Sequence, residues 1–275
     1  MSKFYHQDNV FQYLIVILAF LMPLTVFGAN LIIVIICLLW FFAGKYKVAI
    51  NNVKDNKLLI ASIIFFSLHV IGLLWTSDLN WGLHIVHKMW YFLLFFPILY
   101  SLVREEFIKY YIYSFLFAIA LTELVSYLVW FEIIPPFKNA TVTNPTPFMN
   151  HISYNPILAF AIYIVLHQIS FNKKLSNLEF TLYSFFSISM IINMFITGGR
   201  MGHVVFFIII AILVFQIFGK KRIKAILIIS LLIPSVFLSA YQFSELFQQR
   251  VNLAVFETNN YSNNNLTSIG QRIAF

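Results

Sequence analysis

Charge is what this chain has least of. Asp, Glu, Lys and Arg make up only 10% of its 275 residues, against a hydrophobic share of 61%, whereas a soluble domain carries about 25% charged residues. That shortage excludes an ordinary soluble fold. Cysteine is nearly absent as well. The single thiol, Cys37, sits inside an apolar run, which leaves no intrachain disulfide and no CxxC metal or redox site. The 8 prolines and 9 glycines are too few for a collagen-like or low-complexity chain. Also missing are GxxxxGK[ST], HExxH, a nucleophile elbow, a His/Cys cluster and a visible internal repeat. Nothing therefore points to phosphate-loop, zinc-protease or serine-hydrolase chemistry, and no metal or cofactor is expected.

What is present is apolar sequence in runs of about 15–25 residues, which suits helices crossing a ~30 Å hydrocarbon core and not the short alternating strands of a membrane barrel. The expected fold class is an all-α polytopic membrane protein with about nine transmembrane helices. These fall near Val10–Phe27, Asn30–Gly44, Leu58–Trp75, Met89–Val103, Tyr110–Ile134, Tyr154–Phe171, Glu179–Ile196, Gly202–Phe218 and Ala225–Ala240. Gly28-Ala29 turns the first pair into a hairpin, Thr76–Lys88 is too polar to span, and Pro135-Pro136 stops the fifth helix. Residues 1–240 thus form the membrane domain. Residues 241–275 begin an external loop whose segments 244–256 and 268–275 read as amphipathic helices. The first run lacks a basic leader and a small-residue cleavage site, so it is an uncleaved helix.

Basic residues set the orientation, because short cytoplasmic loops carry the excess of Lys and Arg. With the N-terminus in the cytoplasm, Lys3, Lys45, Lys47, Lys54, Lys57, Arg104, Lys109, Lys173, Lys174, Lys220, Lys221, Arg222 and Lys224 fall inside. Only Lys88, Lys138, Arg200, Arg250 and Arg272 fall outside. The net charge of +8 therefore reports topology and membrane lipid contact, not a nucleic-acid partner.

Each outer cation needs a reason to be there. Arg200 stands in Thr197-Gly198-Gly199-Arg200-Met201-Gly202-His203, between two of the most apolar runs. An arginine near a bilayer needs either an anionic partner or a route to the head groups. Here the next helix would present its free N–H groups and positive dipole end beside the guanidinium. Gly198, Gly199 and Gly202 would let a ligand approach the backbone closely. Phosphate or diphosphate suits such a fork. Lys88 repeats the arrangement at the start of the fourth helix, with His84 one turn earlier. His151, at the end of the long polar loop, reads as a base, a sugar contact or a packing residue. Arg250 reads as a head-group or substrate anchor, and Glu123, inside the fifth helix, as a proton-carrying or structural carboxylate.

The order of these features resembles the O-antigen ligase and polymerase family of bacterial inner membranes. The resemblance rests on Lys88 leading a span, Asn150-His151-Ile152-Ser153-Tyr154 closing a polar loop, the Thr-Gly-Gly-Arg-Met-Gly stretch, and Ser268-x-x-x-Arg272. In this chain Gly199 stands where the family usually has Ser before the arginine. The resemblance implies a periplasm-facing, metal-independent glycosyltransferase that takes a glycan from an undecaprenyl-diphosphate carrier. The acceptor would be lipid A–core sugar or another glycan. Arg200 and Arg272 would be the catalytic arginines holding the diphosphate, with Lys88, Gly199, Arg250 and His151 binding substrate. The family's general-base histidine would lie beyond Phe275, so the resemblance also implies that the chain is a fragment. The alternative is a transporter or flippase of lipid-linked saccharides or other anions. A scaffold subunit, indifferent to replacement of its arginines by Lys, is a third.

Overall fold

The computed structural model of the chain describes residues 2–44, 53, 56–138 and 140–259. Among these the secondary structure is helical. No strand forms, and a lone bridge joins Thr141 to Asn144. The main helices are α1 (Ser2–Leu21), α2 (Val26–Phe42), α3 (Lys57–Gly72), α4 (Leu79–Lys88), α5 (Phe96–Leu102), α6 (Ile108–Trp130), α7 (His151–Phe171), α8 (Asn177–Ile196), α9 (Arg200–Phe218), α10 (Arg222–Phe243) and α11 (Glu245–Asn259). Six helical stretches are long and apolar enough to cross a bilayer, namely Leu79–Leu102, Glu105–Trp130 and α7 to α10. The chain is a multi-pass α-helical membrane protein. Three further apolar helices, Asn9–Leu21, Val26–Phe42 and Lys57–Gly72, are shorter.

The helices group into two compact units, Met1–Phe115 and Leu116–Phe275. In the first, α1 and α2 form the expected hairpin with a different turn. It lies at Met22–Thr25 rather than at Gly28-Ala29, which belong to α2. Thr25 is extended and its side chain accepts the Gly28 N–H at 3.3 Å, so the better cap set the boundary. Phe11, Ile15, Leu18, Ile33, Ile36 and Trp40 of the hairpin bury against Phe95, Ile98 and Leu102.

The segment taken as too polar to span is helical and leads into the next span. A five-residue π turn, Tyr91–Phe95, links α4 to α5. In that register Phe96 N–H reaches Tyr91 C=O, and the next donor would be residue 97, which is proline and has no N–H. The Phe92 carbonyl is left open, and the Ser62 hydroxyl of α3 donates to it. Lys88 is consequently an exposed residue inside the Leu79–Leu102 stretch and does not start a helix.

In the second unit α6 ends four residues earlier than the prolines suggest. Glu132 adopts φ 58°, and Ile133 N–H reaches Leu128 C=O at 2.9 Å while Glu132 N–H reaches Val129 C=O at 3.0 Å. That pair of bonds is a Schellman cap, with Glu where Gly is usual. Beyond it α7, α8 and α9 pack around buried polar side chains. Glu123 of α6 accepts the Ser189 hydroxyl. Asn193 donates to Ser126 at 2.8 Å, the Tyr154 hydroxyl donates to Asn193 at 3.2 Å, and Thr197 donates to Asn155 at 2.7 Å. The Glu123–Ser189, Asn193–Ser126 and Tyr154–Asn193 bonds join different helices and the Thr197–Asn155 bond ties the link after α8 to α7, so the bonds fix helix registers where lipid supplies no hydrophobic force.

Candidate functional site

The expected arginine motif lies at the upper end of this polar seam, where α8 stops and α9 starts. Thr197, Gly198 and Gly199 are the only residues between the two helices. Two asparagines fix this short link. Asn155, fully buried on α7, accepts the Thr197 hydroxyl and offers its amide to the Thr197 carbonyl at 3.5 Å. Asn144, on the loop before α7, accepts the Gly198 N–H at 3.0 Å through Oδ1. Its Nδ2 is then the donor to His151 Nδ1 at 2.9 Å. With Nδ1 accepting, a neutral His151 carries its proton on Nε2 and is a donor there.

The glycines have a use other than the one expected of them. A Cβ on Gly199 would stand 2.7 Å from Asn155 Nδ2 and from the His151 carbonyl, and one on Gly202 would stand 2.1 Å from Asn155 Cβ. At both glycines α7 lies where a side chain would stand, so α9 can pack against it, and Gly199 also lines the cleft described below. Gly198 differs, because its missing side chain faces Arg250 Nη2 at 3.2 Å and Leu246 at 3.6 Å, both from α11.

α11 therefore roofs the link. Arg250 and Glu257 are seven residues apart and share one of its faces. Arg200, the first residue of α9, points its two terminal nitrogens at Glu257 at 3.4 and 3.5 Å. These are longer than the 2.7–2.9 Å of a tight charge-assisted bond. With side-chain exposures of 27% and 9%, the pair is half-wet and loosely held. Arg250 makes no hydrogen bond or ion pair with any described residue. Arg200, Arg250, His151, Gly198, Gly199 and Met201 line one cleft of about 180 Å³.

Four sequence-predicted residues, Arg200, Arg250, His151 and Gly199, thus come together around one opening. Lys88 lies in the first unit, exposed on its helix. Arg272 and the segment 268–275 lie outside the described residues. Sequence reasoning overlooked Asn144, Asn155 and Glu257. The Asn144-Pro145 turn pair and the Arg250–Glu257 spacing on an amphipathic helix were the available signals.

The arrangement can bind an anion. Among the described residues none accepts from the five N–H donors of Arg250, the Arg200 fork is countered by the Glu257 carboxylate, and a neutral histidine offers a further donor. His203, one turn into α9, is not part of this opening. It donates Nε2–H to the Met194 carbonyl at 2.9 Å and stacks on Phe195 at 5.2 Å, as a packing residue. Comparison with family models, curated proteins and solved structures found no match.

Proposed function

We propose that the chain is a membrane glycosyltransferase of the O-antigen ligase or polymerase kind, moving a glycan from an undecaprenyl-diphosphate carrier to a lipid-linked or glycan acceptor. The observation that carries the reading is the Arg250 guanidinium lying over Gly198 beside Arg200 and His151, with no hydrogen-bond or ion-pair partner among the described residues. In this reading nine helices span the bacterial inner membrane with the N-terminus in the cytoplasm. The cleft then opens to the periplasm, and residues 241–275 begin a periplasmic loop.

The chemistry follows from charge. Breaking the bond between the sugar and the diphosphate leaves negative charge growing on the leaving oxygens. Donors already aimed at them favour the transition state over the ground state. Arg200 fills that role with Arg272, while Arg250 holds the carrier. His151, protonated on Nε2, donates a hydrogen bond to substrate. It does not take the acceptor's proton in this tautomer. Glu257 must give way when the diphosphate arrives, exchanging one anion for another at Arg200. Arg200→Ala and Arg272→Ala are expected to abolish glycan transfer while the protein still inserts in the membrane. Normal surface polysaccharide in both variants rejects the assignment.

One observation favours the transporter reading, namely a buried carboxylate, Glu123, on a helix able to cross the membrane. A proton-coupled carrier needs it ionisable, so Glu123→Gln separates the two. The transferase keeps its activity in that variant and the transporter loses it.

A further inference from the structure

A second and larger cleft, about 340 Å³, opens beside the arginine cleft. Its wall combines the ring of Trp130 from the end of α6, Thr143 from the loop, Phe243 from the end of α10, and Glu245, Leu246 and Gln249 from α11. Leu246 is the partition, since it lines this cleft and also approaches Gly198, which lines the other. On α11 the i,i+4 pair Leu246 and Arg250 faces the arginine cleft, and the neighbouring pair Glu245 and Gln249 faces this one.

The two openings differ in charge. The first carries two guanidiniums and a carboxylate. The second carries one carboxylate, one amide and no cation. The Glu245 carboxylate and the Gln249 amide have no hydrogen-bond partner among the described residues. A phosphate placed here would meet Glu245 as a like charge. An acyl chain would cover Trp130 and Phe243 and leave the carboxylate and amide unanswered. A sugar ring matches the whole set. Its C–H face covers an indole, and its hydroxyls donate to a carboxylate and both donate to and accept from an amide. The volume falls within the range of small-molecule sites, roughly 300–1,000 Å³.

We propose that this cleft is a saccharide subsite that takes an uncharged sugar ring, stacked on Trp130 and hydrogen-bonded by Glu245 and Gln249. Its pairing with the arginine cleft makes the two a bipartite site for a sugar joined to a diphosphate. That pairing rests on the transferase reading, whereas the saccharide cleft itself does not.

The test uses the full chain in an amine-oxide detergent, which contains neither sugar nor phosphate. Saturation-transfer difference NMR is recorded with glucose, galactose and N-acetylglucosamine, and phosphorus line broadening with inorganic pyrophosphate in the same samples. At least one sugar is expected to receive saturation. Its signal should fall about fivefold or more in Trp130→Ala and in the exposed-residue variant Gln249→Ala, and persist in Arg200→Ala. Absence of any sugar signal in the unmodified protein, or an unchanged signal in both cleft variants, overturns the subsite. Pyrophosphate broadening reports the other cleft. If it is missing while the sugar signal depends on Trp130, the transferase reading fails and the saccharide subsite stands.

Discussion

The two units of this chain are made of the same kind of apolar helix and distribute their polar contacts differently. In Met1–Phe115 an apolar cluster dominates, with fully buried Ile36 among Phe11, Ile15, Trp40 and Ile98, and separate hydrogen bonds such as Gln12 to the Leu102 carbonyl and Ser62 to the Phe92 carbonyl join its helices. In Leu116–Phe275 they meet through a seam of buried hydroxyls and amides that ends beneath the Arg200 cleft, with two glycines admitting Asn155. Between helices in lipid the hydrophobic effect contributes little, because acyl chains are as apolar as Leu, so packing and hydrogen bonds must decide. Both units place polar side chains between helices, but only in the second do they form a continuous seam that ends at a candidate site.

Four substitutions would sharpen or break this contrast, each read from thermal or denaturant unfolding of the purified protein. Gly202→Ala forces a methyl group into the Asn155 backbone and is expected to cost the most, about 3 kcal/mol, at the upper end for overpacking. A stability within error of the unmodified protein would mean that α7 and α9 are not in close contact. Ile36→Ala probes the other unit and should cost about 2 kcal/mol by leaving a cavity. It should leave ligand binding untouched. Asn155→Leu keeps the branched shape but removes the bond that ties Thr197 to α7, leaving its hydroxyl only the Asn193 and Met194 carbonyls of its own helix, at about 1 kcal/mol, within the range measured for hydrogen bonds between membrane helices. Here binding should fall further than stability, since the Thr197–Gly199 link loses its anchor. Gly198→Ala is the mildest, within about 0.5 kcal/mol, because the atom it meets is the tip of a flexible arginine. It should still displace Arg250 and weaken anion binding. A Gly198→Ala protein that binds as well as the original would remove Arg250 from the site.

Helix existence was legible in the sequence because apolar runs of membrane length have few other solutions. Boundaries were less so. Thr25 outranked Gly28-Ala29 as a helix start, and Glu132 in a left-handed conformation ended α6 before Pro135 could. The π turn at Tyr91–Phe95 gave no sign in the sequence, and the helical stretch it continues changed the meaning of Lys88, from a charge at a helix start to one partway along that stretch. At the site, Arg200 and Arg250 were readable as outer cations that need an anion or the head groups, and His151 as a polar residue closing the long loop. Asn155 was not, because an asparagine inside an apolar run gives no sign of which helix it faces. The glycines were readable as places of close approach, but nothing in the sequence showed that α7 is the neighbour of Gly199 and Gly202, while Gly198 and Gly199 also line the cleft.

The central claim is that Arg200 and Arg250 form an anion site which Glu257 occupies only loosely. Isothermal titration of the full chain with inorganic pyrophosphate tests it most directly, comparing the unmodified protein with Arg250→Gln and Glu257→Gln. The account predicts binding that weakens about tenfold or more in Arg250→Gln, the equivalent of one lost charge-assisted contact. It predicts tighter binding in Glu257→Gln, where the competing carboxylate is gone. Equal affinity in all three proteins, or no heat of binding in any, would contradict it.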